Sequence, residues 1–278
     1  GIVVRSIGEL CRDKLVDPCV VVVDEMASFA VSLLSGHVGG GNKLAISLSD
    51  ILGSTPVITT ASDVSGHTPL DLWILKNKFT YNSKQLLTSV SAKLLKEGSI
   101  KLFSDIIFSG NLPGDIQLTD KIELADILIT CDTSLFSCHK KHLILYPFNL
   151  SLGVGCNRGT SQHEIEACFK ELLNNYNLHV DCFSQMASID IKIDEKGLLE
   201  FSRSTNLPVR FFHKNILNGV KGITHSSVVK KATGAVGVSE PAAILSASTG
   251  KFPGELVIPK QKWKNVTFAV ARKKMVLT

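Results

Sequence analysis

The chain has 278 residues, 44% hydrophobic and 20% charged, and its 30 basic and 25 acidic side chains leave a net charge of +5. That is enough apolar material for a sizeable core, in one large domain or two to three small ones. A mild positive balance without a basic tail, and an aromatic content of 6%, argue against nucleic acid and lean toward acidic small molecules.

The chain begins Gly1-Ile2-Val3-Val4-Arg5, which lacks an initiator methionine and reads as the interior of a domain, so upstream sequence is expected. Residues 19–23 and 29–34 read as short strands. The second runs into Ser35-Gly36-His37-Val38-Gly39-Gly40-Gly41-Asn42, a glycine-dense turn followed at once by a helix over 42–52 with Gly53 as its stop. Glycines let a ligand approach the backbone, and a helix start offers unpaired N–H groups. The turn is therefore either a tight structural connection or an anion-binding loop with a titratable histidine in it. Residues 56–60 read as a buried strand and 69–76 as a helix. Strands separated by helices predict a mainly parallel sheet in residues 1–81, with the loops 35–42 and 59–66 on one ligand-binding edge.

Residues 82–147 read as a smaller module, with a helix over 83–95 and short strands near 100–103, 116–118, 125–130 and 142–146. No chemistry stands out there, and a spacer or lid is the plain reading. Cys131, Cys138, His139 and His142 can be drawn as a zinc site, but their spacing fits no metal pattern, and none is expected.

A third module covers 148–278. A strand over 150–154 enters Gly155-Cys156-Asn157-Arg158-Gly159-Thr160-Ser161, and a helix follows from 162 with Ser161 and Glu164 as a capping box. Arg158 beside a helix start suits a carboxylate or phosphate. Cys156 reads as a packed thiol more readily than as a nucleophile. Asp190 and Lys192 share a strand face and read as a solvated ion pair. Ser239 is a candidate N-cap, with Glu240 either a first-turn carboxylate favoured by the helix dipole or a catalytic group. Lys260, Lys262 and Lys264 read as a mobile basic hairpin.

The seven cysteines are odd in number and form no Cys-x-x-Cys pair, which fits reduced, cytoplasmic thiols. No apolar run reaches the roughly 18 residues of a membrane span. No signal peptide is visible, so no membrane partner is expected.

Five motifs taken together resemble the CbiG family of cobalamin biosynthesis. They are Leu-Leu-Ser-Gly-His-Val-Gly-Gly-Gly-Asn at 33–42, Pro-Val-Ile-Thr-Thr-Ala-Ser-Asp at 56–63 and Gly-Val-Gly-Cys-Asn-Arg-Gly-Thr-Ser at 153–161. With them stand Ala-Ser-Ile-Asp-Ile-Lys-Ile-Asp-Glu-Lys-Gly-Leu at 187–198 and Val-Ser-Glu-Pro-Ala-Ala at 238–243. The resemblance runs in order along nearly the whole chain and is weakest over about 82–148. The family usually has a small residue such as alanine where Gly41 stands, and commonly an arginine where Asn157 stands.

The resemblance implies an α/β protein of three modules, with parallel or mixed sheets and flanking helices at both ends and a small α/β module between them. It implies a cobalt-precorrin 5A hydrolase that opens a lactone with water and releases acetaldehyde to give cobalt-precorrin 5B. The alternative is a corrinoid-binding or channelling protein without chemistry. The substrate would bring its own cobalt, so no cofactor is expected. Beyond the substrate, neighbouring pathway enzymes and further copies of the chain are admissible partners. His37 is the first choice for the base, with Glu240 and Asp63 as alternatives. Backbone N–H groups at 39–42 would steady the oxyanion. The substrate's carboxylate arms would meet Ser35, Gly36, Gly39, Gly40, Asn42, Thr59 and Thr60 on one side. Arg158, Gly159, Thr160, Asp190 and Lys192 would meet them on the other.

Overall fold

A computed structural model describes residues 1–12, 16–58, 66–137, 142–250 and 252–278. The short helix α1 (Ile2–Ile7) buries no residue and leads to a three-stranded sheet of β1 (Val20–Val23), β2 (Phe29–Leu34) and β3 (Thr55–Val57). Helix α2 (Gly41–Leu52) joins β2 to β3 and buries Ala45 against the sheet. The β2–β3 pair is parallel, as a helical crossover requires, but β1 and β2 are antiparallel. The expectation of a mainly parallel sheet is therefore corrected. Only residues 24–28 separate β1 from β2, too few for a crossover and enough for a hairpin. Asp24 closes that hairpin by accepting the Phe29 N–H at 2.6 Å.

The second sheet is built from α3 (Leu70–Lys76), β4 (Phe79–Tyr81), α4 (Lys84–Glu97), β5 (Ile100–Ser104), β6 (Phe108–Ser109), β7 (Ile116–Leu118), β8 (Ile127–Ile129) and β9 (Leu143–Pro147). Its order is β4-β9-β8-β5-β7, parallel except for β4 at one edge. The expected boundary after residue 81 falls inside this unit, because Phe79–Tyr81 pairs with Leu145–Pro147 and α3 packs on β4.

The third sheet carries β10 (Leu150–Cys156), α5 (Gln162–Asn175), β11 (Phe183–Ile189), α6 (Lys196–Thr205), β12 (Val209–Phe212), α7 (Lys214–Asn218), α8 (Ser227–Thr233), α9 (Ser239–Ala247), β13 (Glu255–Lys262) and β14 (Val266–Arg272). The order is β12-β11-β10-β14-β13, with β10, β11 and β12 parallel and β14 antiparallel to β10. Period two splits the side chains between two faces. Leu152, Val154, Phe268 and Val270 join Phe169 and Phe201 of α5 and α6, whose rings meet edge to face at 5.5 Å. Ala187, Ala269 and Ala271 meet α9, whose own contribution is Ala242, Ala243 and Ala247. Small residues on both sides let α9 sit close. A Cβ at Gly153 would collide with the Ser239 carbonyl.

The second and third sheets share one core that runs from Leu70 to Leu277. The last strand, β15 (Met275–Val276), pairs parallel with β6 of the second unit, and Leu277 donates to the Ser109 carbonyl at 2.8 Å. The chain end is thus part of the second unit's structure. The two units are joined through buried apolar side chains.

Candidate functional site

The glycine turn folds onto itself. The Gly40 N–H donates to His37 O at 3.0 Å, Gly41 N–H to Ser35 O at 3.1 Å and Asn42 N–H to Gly36 O at 2.9 Å. These are the amides that the sequence assigned to an oxyanion, and the loop's own carbonyls take them. The glycines have the same cause. A Cβ at Gly36 would lie 2.5 Å from the Asn42 Oδ1, and one at Gly39 would lie 2.5 Å from the Ser35 Cβ. The loop fills the space that a ligand was expected to use. Gly40, at φ +83°, is the left-handed residue that turns the chain into α2. Of the expected Gly39–Asn42 cradle, the amides of Gly40, Gly41 and Asn42 are thus taken within the loop.

His37 is held in this turn with its side chain 10% exposed, and its Nδ1 lies 3.5 Å from Asp71 Oδ1 on α3. A carboxylate that fixes one imidazole nitrogen orients the ring, as in histidine bases generally. Asp71 had no signal in the sequence beyond being a first-turn acid. Asp63, Thr59 and Thr60 lie outside the described residues.

The second predicted loop lies at the C-terminal ends of β10 and β11, where ligands collect in open α/β sheets. The Arg158 guanidinium is exposed but engaged. It donates to Asp194 Oδ1 and to the Ile191 carbonyl, each at 2.5 Å. The Asp194 hydrogen bond raises the Arg158 pKa, and the same bond lowers that of Asp194. Glu195, missed by the sequence reading, organises the loop from beneath. Its Oε1 accepts the Gly159 N–H at 2.8 Å and its Oε2 accepts from Lys192 Nζ at 3.1 Å. Gly197 lets α6 approach, since a Cβ there would meet the Thr160 carbonyl.

Three expectations change here. Residues 190–192 form a 3-10 turn rather than a strand, so period two does not pair Asp190 with Lys192. Lys192 is 7% exposed and its partner is Glu195, so the solvated pair is replaced by a buried one. Thr160 points inward, its hydroxyl donating to Asn157 O at 2.8 Å, and the Gly159 N–H is already taken.

Glu240 is 2% exposed and fully engaged. Its Oε2 accepts the Thr224 N–H at 2.5 Å, and its Oε1 accepts from Thr224 Oγ1 at 3.1 Å and from the Lys260 N–H at 2.8 Å. Three donors on a buried carboxylate describe a brace between the 224 loop, α9 and β13.

Around these residues lies a cavity of about 540 Å³. Arg158, Lys192, Lys260, Lys262 and Lys264 line it, and none of the described lining residues is a carboxylate. Lys260 and Lys262 belong to β13 and Lys264 to the turn before β14, so the basic hairpin is an ordered wall. None of residues 35–42 lines the cavity.

Two family profiles match, Cobalamin synthesis G N-terminal over residues 1–63 and Cobalamin synthesis G C-terminus over 150–271. A cobalt-precorrin-5A hydrolase from Priestia megaterium is 34% identical over 98% of this chain and 76% of its own length. The chain belongs to the CbiG family. The Salmonella typhimurium cobalt-precorrin-5A hydrolase is 30% identical, over 98% of this chain and 80% of that one. Among solved structures, CobE, from the cobalamin (vitamin B12) biosynthetic pathway, is 29% identical with a TM-score of 0.42. It covers 44% of this chain and 89% of its own. A cobalamin biosynthesis protein G homologue from Sulfolobus solfataricus is 21% identical with a TM-score of 0.39, over 98% of this chain and 79% of its own.

Asn157 stands where the resemblance led to an expectation of arginine. Here its side chain donates to Asn265 Oδ1 at 3.0 Å and its N–H to Asn265 O at 2.9 Å. This CbiG chain thus uses the position to tie the basic loop to the turn before β14. Among the described residues no three His, Cys, Asp or Glu side chains gather as a metal site. Cys138 and His139 lie outside those residues, while His142 is buried with its Nδ1 2.9 Å from Ala125 O. No described helix is long and apolar enough to cross a membrane.

Cys156 faces the cavity, and burial pushes its thiol up to about 11. A thiol titrating there is protonated near neutrality and makes a poor nucleophile. Alkylation at pH 7–8, followed by peptide mass mapping, should therefore modify exposed Cys11 well before Cys156. Cys156 should gain reactivity only as the pH climbs toward its raised value. Rapid labelling at neutral pH would show an activated thiolate instead.

Proposed function

We infer that this chain is a cobalt-precorrin-5A hydrolase of cobalamin biosynthesis. Family membership supplies the class, and the basic cavity is the observation that carries the reading to a site. A corrinoid with acetate and propionate arms is a polycarboxylate. Of the wall's cations, Arg158 and Lys192 are paired with Asp194 and Glu195, while Lys260, Lys262 and Lys264 have no described ion pair, and those three suit it. The cobalt belongs to the substrate, and the chain contributes binding, orientation and proton transfer. The six free cysteines among the described residues support a reducing cytoplasm.

The chemistry we propose has the macrocycle, held by its arms at the basic wall, extend to the glycine turn, where His37, oriented by Asp71, takes a proton from water as its oxygen attacks the lactone carbonyl. The ester C–O bond then breaks, leaving a carboxylate and an alcohol oxygen. The alcohol oxygen then forms a C=O bond as the adjoining carbon–carbon bond breaks, freeing the two-carbon fragment as acetaldehyde, while the bonding pair passes to the macrocycle, whose carbon takes up the proton that His37 gained. Incubation with cobalt-precorrin 5A, with acetaldehyde release followed, tests this reading. Binding without acetaldehyde would make the protein a corrinoid carrier.

The basic wall is expected to act unequally. Arg158 already has two partners, so Arg158→Ala should weaken corrinoid binding less than joint replacement of Lys260, Lys262 and Lys264 by Gln. No ion pair is described for those three lysines. The triple variant should lose about tenfold in affinity at low salt, and the loss should shrink near about 0.5 M salt, where exposed charges are screened. Titration at two ionic strengths checks both statements.

A further inference from the structure

Ser239 is the first residue of α9, is 2% exposed, and lines the cavity. Its hydroxyl oxygen has no hydrogen-bond partner among the described residues. The sequence assigned it to the N-cap, but Val238 holds that position, so the hydroxyl is not spent on the helix. Buried hydroxyls are paired in nearly all folded proteins, because hydration lost on burial is otherwise not recovered. An orphaned one on a cavity wall has its acceptor missing.

The helix start adds to it. The first N–H of α9 with an acceptor among the described backbone bonds is that of Ala242, which donates to Val238 O at 3.0 Å. Pro241 has no N–H, and the amides of Ser239 and Glu240 have no described acceptor. Gly155 and Gly237 line the same cavity. The one carboxylate at this helix end, Glu240, is turned to Thr224 and the Lys260 amide and does not occupy the position. The Lys260 and Lys192 side chains line the same cavity and supply positive charge. Seating of α9 on Gly153 fixes the helix end in place.

We propose that the Ser239 hydroxyl and the first-turn amides of α9 form an oxyanion subsite that grips one carboxylate arm of the corrinoid, with Lys260 as its counter-charge. A hydroxyl and two amides without described acceptors sit at a single helix terminus, the kind of donor set that carboxylates and phosphates use elsewhere. Ser239 is then a substrate-positioning contact of the hydrolase. This proposal rests on the corrinoid reading of the cavity.

The test uses the full chain and two probes, cobyrinic acid with its arms free and its heptamethyl ester. Trp263 lines the cavity, so quenching of its fluorescence reports binding. Ser239→Ala should bind the acid about tenfold or more weakly than wild type, the scale of a hydrogen bond to a charged group. The ester should not distinguish the two proteins. Because the hydroxyl has no partner in the free protein, the variant's melting temperature should equal or exceed that of wild type. Equal affinity of the two proteins for the acid overturns the subsite and leaves the corrinoid reading standing. A marked fall in melting temperature also overturns it, since the hydroxyl would then be paired within the fold. If wild type fails to bind the acid, the corrinoid reading falls and the subsite with it.

Discussion

Replacement of His37 by alanine is expected to lower acetaldehyde release by roughly 10²- to 10⁴-fold, the usual worth of a lost general base. Corrinoid affinity should stay near that of wild type, because His37 is not on the cavity wall. The imidazole is the group with the right chemistry. Asp71 at 3.5 Å fixes the ring. Asp71→Asn should follow the same pattern with a smaller loss, since it keeps the shape and removes the charge that orients the ring. The competing role is mechanical. His37 and Asp71 tie the first sheet's loop to α3, and a tie alone would show as a lower melting temperature with turnover unchanged. Steady-state kinetics of both variants beside their thermal unfolding separates the two. Wild-type turnover in His37→Ala would assign the residue to the tie.

Much of the architecture was legible because it follows from local patterns. The Ser161 cap is one case. Its hydroxyl accepts the Glu164 N–H at 3.2 Å, as the capping motif predicts. The reciprocal half is absent, because the Glu164 carboxylate accepts from Asn265 instead. That partner is 101 residues away and no local rule finds it. The β1–β2 hairpin was open to the same reasoning, had the short span between the strands been weighed against the helix after β2. The site was less legible. Composition marks Arg158 as a cation and Glu240 as a carboxylate, but neither reveals whether its charge is spent. Three donors from two other segments spend Glu240, and Asp194 with a carbonyl spends Arg158. Conversely, Glu195 and Ser239 look ordinary in sequence, one an acid before a helix and the other a serine at a helix start. Their importance comes from burial and from which partners they have or lack. Glycines mislead for a related reason: a missing Cβ signals close approach, but not whether the approaching atom belongs to a ligand or to the same loop.

Replacement of Glu195 by alanine is expected to cost about 3–5 kcal/mol of stability, the range for breaking a buried ion pair by removing one partner. Lys192 is 9% exposed in its side chain and Glu195 5%, so the stranded ammonium has little access to water. The same change removes the acceptor of the Gly159 N–H and a second carboxylate 3.8 Å from Arg158. The loop that carries Arg158 should therefore loosen as well as the fold weaken. Urea unfolding measures the first effect, and corrinoid titration below the transition measures the second. Joint replacement of Lys192 and Glu195 by methionine separates the two. With no buried charge left, much of the stability should return, because apolar side chains of similar length often replace buried pairs at little cost. Binding should not return with it, since the cavity has lost one cation and its loop has lost its anchor. A loss below about 1 kcal/mol for Glu195→Ala would mean that the pair is solvated and worth no more than a surface bridge. Lys192 would then reach its carboxylate ligands as a mobile side chain rather than from a fixed position.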